Sequence, residues 1–229
     1  MNDLVRLRRI AHAPARPPRA AAAFEALEHD IMLGVLAPGT PLVELELAAR
    51  FGCSQGTVRE ALLRLQEEGL VRRNGHRGTQ VSDCTADEAV EMFRIRLEIE
   101  GSAILRTLAN PSPTLVDDLD GLVADMVAAA EAGDEMRLAA LDRVFHRRLF
   151  HDADLPALEP ILQRCLVHNH RFKISRSEPA RDLVATALRH RPIVAAIAGG
   201  EVEAAFRALR HHVATIVDFG PAVFDGATP

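Results

Sequence analysis

Three residues, Gly52-Cys53-Ser54, interrupt an otherwise helical run and leave few folds open to the segments around them. In ELELAARFGCSQGTVREALLRL, Leu47, Ala48, Phe51, Val58, Leu62, Leu63 and Leu65 recur at helical spacing on either side of the break. Two short helices must meet there across a tight turn, which is the helix-turn-helix pattern. Ser54 is placed to cap the second helix, and the side chains of its first turn, Gln55, Gly56, Thr57 and Arg59, are small or polar. Such a turn can enter a major groove, with Arg64 adding a second positive charge along the same helix. A helical hairpin with a solvated Arg59 fits the same words until the next segment is read.

Gly69-Leu70-Val71 ends the second helix and begins a strand, Asn74 to Gly78 makes a turn, and Thr79-Gln80-Val81 returns. A helix-turn-helix followed by a hairpin with His76, Arg77 and Gly78 at its tip predicts a winged helix. The words LGVLAPGTPL (33–42), ELAARFGCSQGTVREALLRLQEEGLV (46–71) and HRGTQV (76–81) together resemble the GntR family of bacterial transcription regulators. The resemblance implies binding to a double-stranded DNA operator through Ser54, Gln55, Gly56, Thr57, Arg59, Arg64 and the wing residues. Members often carry an arginine where this chain has Gln55, and the FadR-type branch has another where this chain has Leu45. Glutamine reads adenine where arginine prefers guanine, so an altered operator is expected rather than lost binding.

Absence of Trp and Tyr, with 9 Phe among many Ala, Leu, Val and Glu, favours helices packed by aliphatic layers. The expected class is mainly α: an N-terminal winged helix-turn-helix with a small β-hairpin wing, then an antiparallel bundle of six or so helices. At 229 residues the chain is long enough for two cores. The expected division is a basic, Pro/Arg-rich arm over 1–19, a DNA-binding domain over 20–82, a helical domain over 83–222 and a tail over 223–229. No apolar run reaches the roughly 18 to 20 residues of a membrane span, and MNDLVRLRRI lacks the apolar core of a signal peptide, so a cytoplasmic protein without a membrane partner is expected. Cys53, Cys84 and Cys165 are odd in number and far apart, and read as reduced thiols. The net charge of −5 is uneven: residues 1–82 hold 11 Arg against 9 acids, leaving 16 basic and 23 acidic groups beyond. A phosphate backbone needs only the basic face.

In the first domain a helix from Ala20 should cover the motif with Phe24, Leu27, Ile31 and Val35 before Pro38-Gly39 stops it. Beyond Thr85 the breaks predict helices near 86–109, 113–132, 134–152, 155–175, 179–198 and 201–219. This half resembles the all-helical effector (FCD) domain of the FadR-type branch.

Asp142 and His146 stand four apart on one predicted helix face, with His190 and His212 on two others. If the helices adjoin, one carboxylate and three imidazoles can converge on a divalent metal, zinc ahead of nickel or manganese. The resemblance points the same way, since relatives carry an Asp-x-x-x-His pair and two further histidines as a metal site. It also implies a small carboxylate effector, with Arg94 and His168 as candidates to line its pocket; an ion pair with Glu98 is the alternative role for Arg94. His151 and His211 should face elsewhere. A metal-dependent hydrolase, or a metal-binding helical module carrying a winged-helix interaction domain, is the competing reading, but no His-Glu-x-x-His or G-x-S-x-G accompanies the set. The reading favoured is not an enzyme but a homodimeric regulator, expected to repress, whose effector acts through the 82–85 linker.

Overall fold

The computed structural model describes residues 19–75, 78–175 and 182–215. Its N-terminal part is α1 (Arg19–Met32), β1 (Pro41–Leu42), α2 (Glu44–Phe51), α3 (Gln55–Glu67), β2 (Val71–Arg73) and β3 (Thr79–Val81). Gly52 closes α2 in the left-handed region at φ 58°, which a residue with a side chain rarely adopts, and Cys53 N donates to Ala48 O at 3.1 Å. Ser54 Oγ then accepts from Thr57 N at 3.1 Å and opens α3. The wing pairs Val71 with Val81 and Arg73 with Thr79, as the hairpin reading expects. A third strand joins it: β1 lies on the far side of β3, giving the order β1-β3-β2. Two residues are too few to register as a strand in the sequence. α1 also ends earlier than its apolar pattern suggests. Gly34 turns the chain at φ 75°, so Val35 is 70% exposed and Met32 takes the buried place beside Phe24, Leu27 and Ile31.

The helical part comprises α4 (Ala86–Ala109), α5 (Leu115–Glu131), α6 (Glu135–His151), α7 (Glu159–Ser175), α8 (Leu183–Leu188), α9 (Arg191–Ala198) and α10 (Val202–Ala214). Thr85 and Glu88 form a reciprocal capping box at the start of α4. The single helix expected over 179–198 is two, α8 and α9, and its first residues lie outside those described. Pro192 explains the break: it has no N–H for the carbonyl of Leu188 and its ring crowds that carbonyl, so the helix restarts at Arg191. The main core of this part is Phe93, Leu97, Ile104, Leu119, Met126, Phe145, Ile193, Leu209 and their neighbours.

α7 joins the two parts. Its Leu162 and Leu166 pack with Phe150 and Ala103 of the bundle, whereas Val167 belongs to the winged core with Leu27, Leu65 and Leu70. Along the same seam Arg143 Nη2 donates to Glu28 Oε1 at 2.7 Å, Arg164 Nη2 to Glu67 O at 3.0 Å, and Arg171 Nη1 to Ser82 O at 2.8 Å. No helix among the described residues is long and apolar enough to cross a membrane.

Candidate metal centre and nucleic-acid interface

Asp142 and His146 project from one face of α6, His190 sits at the α8–α9 break, and His212 lies on the last turns of α10. All four are buried, and one ligand atom from each lies within 4.8 Å of the others. The proton arrangement tests whether a cation fits. His190 Nδ1 is 3.0 Å from the Ala187 carbonyl, an acceptor only, so Nδ1 carries the proton. In the neutral ring Nε2 is then bare, yet it points at Asp142 Oδ1 from 3.1 Å. His146 Nδ1 donates to Glu100, leaving Nε2 bare 3.3 Å from His212 Nε2 and 3.7 Å from Asp142 Oδ2. The bare His190 Nε2 thus faces a carboxylate oxygen and has no hydrogen-bond partner, while the bare His146 Nε2 can accept only from His212 Nε2. Two of the rings resist protonation: burial holds His146 below the ordinary imidazole range, and burial with the neighbouring His190 and His146 holds His212 well below it. Burial opposes charge on Asp142 too, but the adjoining imidazoles, His170 first, outweigh it and hold its carboxyl well below the usual range. The donor set fits a divalent metal.

Around these four lies a supporting shell that was not singled out in the sequence. Glu100 accepts from both Arg96 Nε and His146 Nδ1, fixing the His146 tautomer. Arg96 is fully buried, and neither Nη has a hydrogen-bond partner. Phe145 meets the His190 ring edge-on at 4.7 Å. His170 Nε2 is 3.1 Å from Asp142 Oδ2, and burial pushes its pKa down to about 4. Beside it, a small cleft of about 20 Å³ reaches Asp142 and His170 from outside, lined also by Glu135, Lys173, Leu183 and Thr186.

Arg94 and His168, the residues expected to line an effector pocket, stand away from the Asp142 cluster. Arg94 is two positions, about 200°, round α4 from Arg96; its side chain is 46% exposed and paired with Glu91, not Glu98. His168 faces the winged domain, where a Cβ on Gly69 would come within 2.9 Å of its Nε2. Helix phase explains both. Leu162, Leu166 and His170 form an i, i+4, i+8 stripe toward the bundle, while Arg164, His168 and Arg171 look the other way. On α4 the buried stripe runs through Phe93, Arg96, Glu100 and Thr107. His151 and His211 are exposed, as expected.

On the other domain, Gln55 and Arg59 share an exposed face of α3, with Thr57 Oγ1 2.9 Å from Ser54 Oγ and Gly56 between them. Arg59 is held by Glu44: Nε donates to Oε1 at 3.2 Å and Nη2 to Oε2 at 2.7 Å. Arg64 is drawn the other way, its guanidinium 4.1 Å from the centre of the Phe24 ring on α1. Asn74 N donates to Gly78 O at 2.9 Å and closes the wing; His76 and Arg77 at its tip lie outside the described residues.

A winged helix-turn-helix docked on a helical domain with a buried Asp/His₃ cluster is the architecture of a DNA-binding regulator. Residues 19–81 match the bacterial regulatory proteins of the gntR family, and residues 91–215 match the FCD domain. The chain belongs to the GntR family of bacterial transcription regulators, in its FCD-containing branch; it is a regulator, not an enzyme. It is 35% identical over 187 residues to a probable D-xylose utilization operon transcriptional repressor of Paenarthrobacter nicotinovorans, 81% of either chain. It is 29% identical over 141 residues to the regulator McbR of Escherichia coli (strain K12), covering 62% of this chain and 64% of that one. The solved structure of E. coli McbR/YncC has the same fold, at a TM-score of 0.70 and 24% identity over 87% of this chain and 95% of that one. So does a GntR regulator from Rhodococcus sp. RHA1, with a TM-score of 0.66 and 23% identity over 92% and 99%.

Proposed function

We propose that this regulator is a homodimeric repressor whose helical domain binds a divalent metal and a small carboxylate effector that changes operator affinity. The observation that supports the reading is the convergence of four buried ligand atoms, with the bare Nε2 atoms of His146 and His190 turned into the cluster. Asp142, His146, His190 and His212 would hold the metal, which supplies a positive centre for an anionic ligand. Zinc suits three imidazoles and a carboxylate, with nickel or manganese as alternatives. The effector would approach through the cleft beside His170 and Lys173, which must widen to admit it. Arg96, behind Glu100, takes over the electrostatic role expected of Arg94.

The signal travels through neighbours in sequence. Asp142 precedes Arg143, which holds Glu28 of α1, and His170 precedes Arg171, which holds the Ser82 carbonyl at the start of the linker. A small shift of α6 or α7 thus reaches the winged domain at two points, and paired winged domains of a dimer change spacing. DNA as partner places the protein in the cytoplasm, with 1–19 as a basic arm, the domain division near residue 82 and 223–229 as a tail; the arm up to residue 18 and the tail lie outside the described residues.

Elemental analysis of the purified protein beside His190→Ala and His212→Ala tests the centre. About one metal per chain, lost in both variants, is expected. No metal in the parent after loading with zinc, nickel or manganese would overturn the metal reading and leave the DNA-binding regulator standing. Thermal shifts of the loaded protein against a panel of small organic acids then test the effector class, and a panel without any shift would remove it.

A further inference from the structure

Arg59 does not stand alone on the DNA-facing surface. Glu44 is the first residue of α2, and Val43 before it makes no side-chain cap, so its carboxylate lies at a helix N-terminus that favours negative charge. Instead of turning back on its own helix, it reaches α3 and takes Arg59 side-on, through Nε and Nη2. Ion pairing with Arg59, helped by the field of Arg73 on the wing strand, holds the Glu44 carboxyl below its ordinary range, so it stays ionised at neutral pH. Arg59, 56% exposed, lies on the face that carries Gln55, and Glu44, at 25%, is half-buried beside it.

The geometry of the pair matters more than its strength. A guanidinium has five N–H donors, and Glu44 uses one on Nε and one on Nη2. The end-on edge, one N–H of Nη1 and the second of Nη2, is left over, and it is this edge that matches O6 and N7 of guanine. A carboxylate facing DNA also repels phosphates. Glu44 thus fixes the plane of the guanidinium without using its reading edge, and opposes the backbone contact that an unrestrained arginine would make.

We propose that Glu44 is a positioning residue of the DNA-reading face, holding Arg59 for guanine and keeping it off the phosphates of unrelated sequence. A plain surface ion pair would leave sequence discrimination unchanged when broken. The full-length parent, Glu44→Gln, Arg59→Lys and Arg59→Ala are compared by fluorescence anisotropy on three duplexes. These are an operator selected by the parent from a random pool, the same operator with individual guanines changed to adenine, and a scrambled duplex, each across a salt series.

For the parent, one guanine should matter by roughly tenfold or more. In Glu44→Gln that preference should shrink several-fold, while affinity for the scrambled duplex rises and its log–log salt slope steepens by about one unit as Arg59 gains a phosphate. Arg59→Lys keeps the charge but has no fork to hold, and should lose the same guanine preference with Glu44 intact. Full retention of the preference in Glu44→Gln, or an equal fall on all three duplexes, overturns the proposal. If Arg59→Ala also keeps the preference, the assignment of Arg59 as reader falls with it.

Discussion

Arg143 and Glu28 form a 2.7 Å ion pair across the seam between α6 and α1, one residue beyond Asp142 of the buried Asp/His₃ cluster. Their side chains are only 10% and 12% exposed, so removing one partner leaves a largely desolvated charge. Arg143→Ala should lower unfolding free energy by about 3 kcal/mol in urea titrations, and Glu28→Gln on top should recover part of it. Metal loading should also change operator affinity less in the double variant than in the parent. An unchanged response would remove this contact from the route between the domains.

Acid should weaken the metal-free protein before its carboxylates titrate. Burial, with Arg171 and Arg164 nearby, lowers His168 to about 4, against an ordinary value of 6.5. A depressed imidazole favours the folded state when neutral. Its stabilisation is complete above pH 6.5 and is lost as pH falls toward 4, because only the unfolded chain binds the proton in that window. At pH 5 this one group costs about 2 kcal/mol relative to pH 7. Urea midpoints at the two pH values should converge in His168→Gln relative to the parent, and a difference of parental size in the variant would reject the assignment.

Glu100→Gln addresses the tautomer of His146. Without the carboxylate, Nδ1 loses its charged acceptor and the ring is free to turn its proton toward the cluster. Competition with a chromogenic chelator should find metal affinity reduced by roughly 10- to 100-fold, although no ligand has been changed. Parental affinity would mean that Glu100 serves only Arg96.

Gln55→Arg should move the base preference at its contact from adenine to guanine, by about 1 to 3 kcal/mol in competition binding. An unchanged preference would mean that Gln55 does not read a base.

The fold was legible because its signals are local: Gly52 and Ser54 punctuate the helix-turn-helix, and Thr85 with Glu88 announces α4. The clustering of Asp142, His146, His190 and His212 was legible because an i, i+4 pair and two further histidines match a known branch. The shell was not. Choosing His170 over His168, or Arg96 over Arg94, depends on helix phase to within about 100°, and both pairs sit on helices with polar residues on more than one face. For α7 this has a physical origin, since it is packed on two sides and carries no single apolar stripe for the eye to follow. The seam contacts of Arg143 and Arg171 join residues about 90 or more positions apart and leave no local trace.

Val167 gives the seam a further meaning. It is fully buried in the core built around Leu27, Leu65 and Leu70, although it belongs to α7. A fragment cut at residue 82 would keep the whole DNA-reading motif yet open a methyl-sized gap beneath it, and would expose the faces of α1 and α3 that α7 covers. The winged half borrows a piece of its interior from the helical half, so whatever displaces α7 also uncovers the underside of the DNA-binding domain.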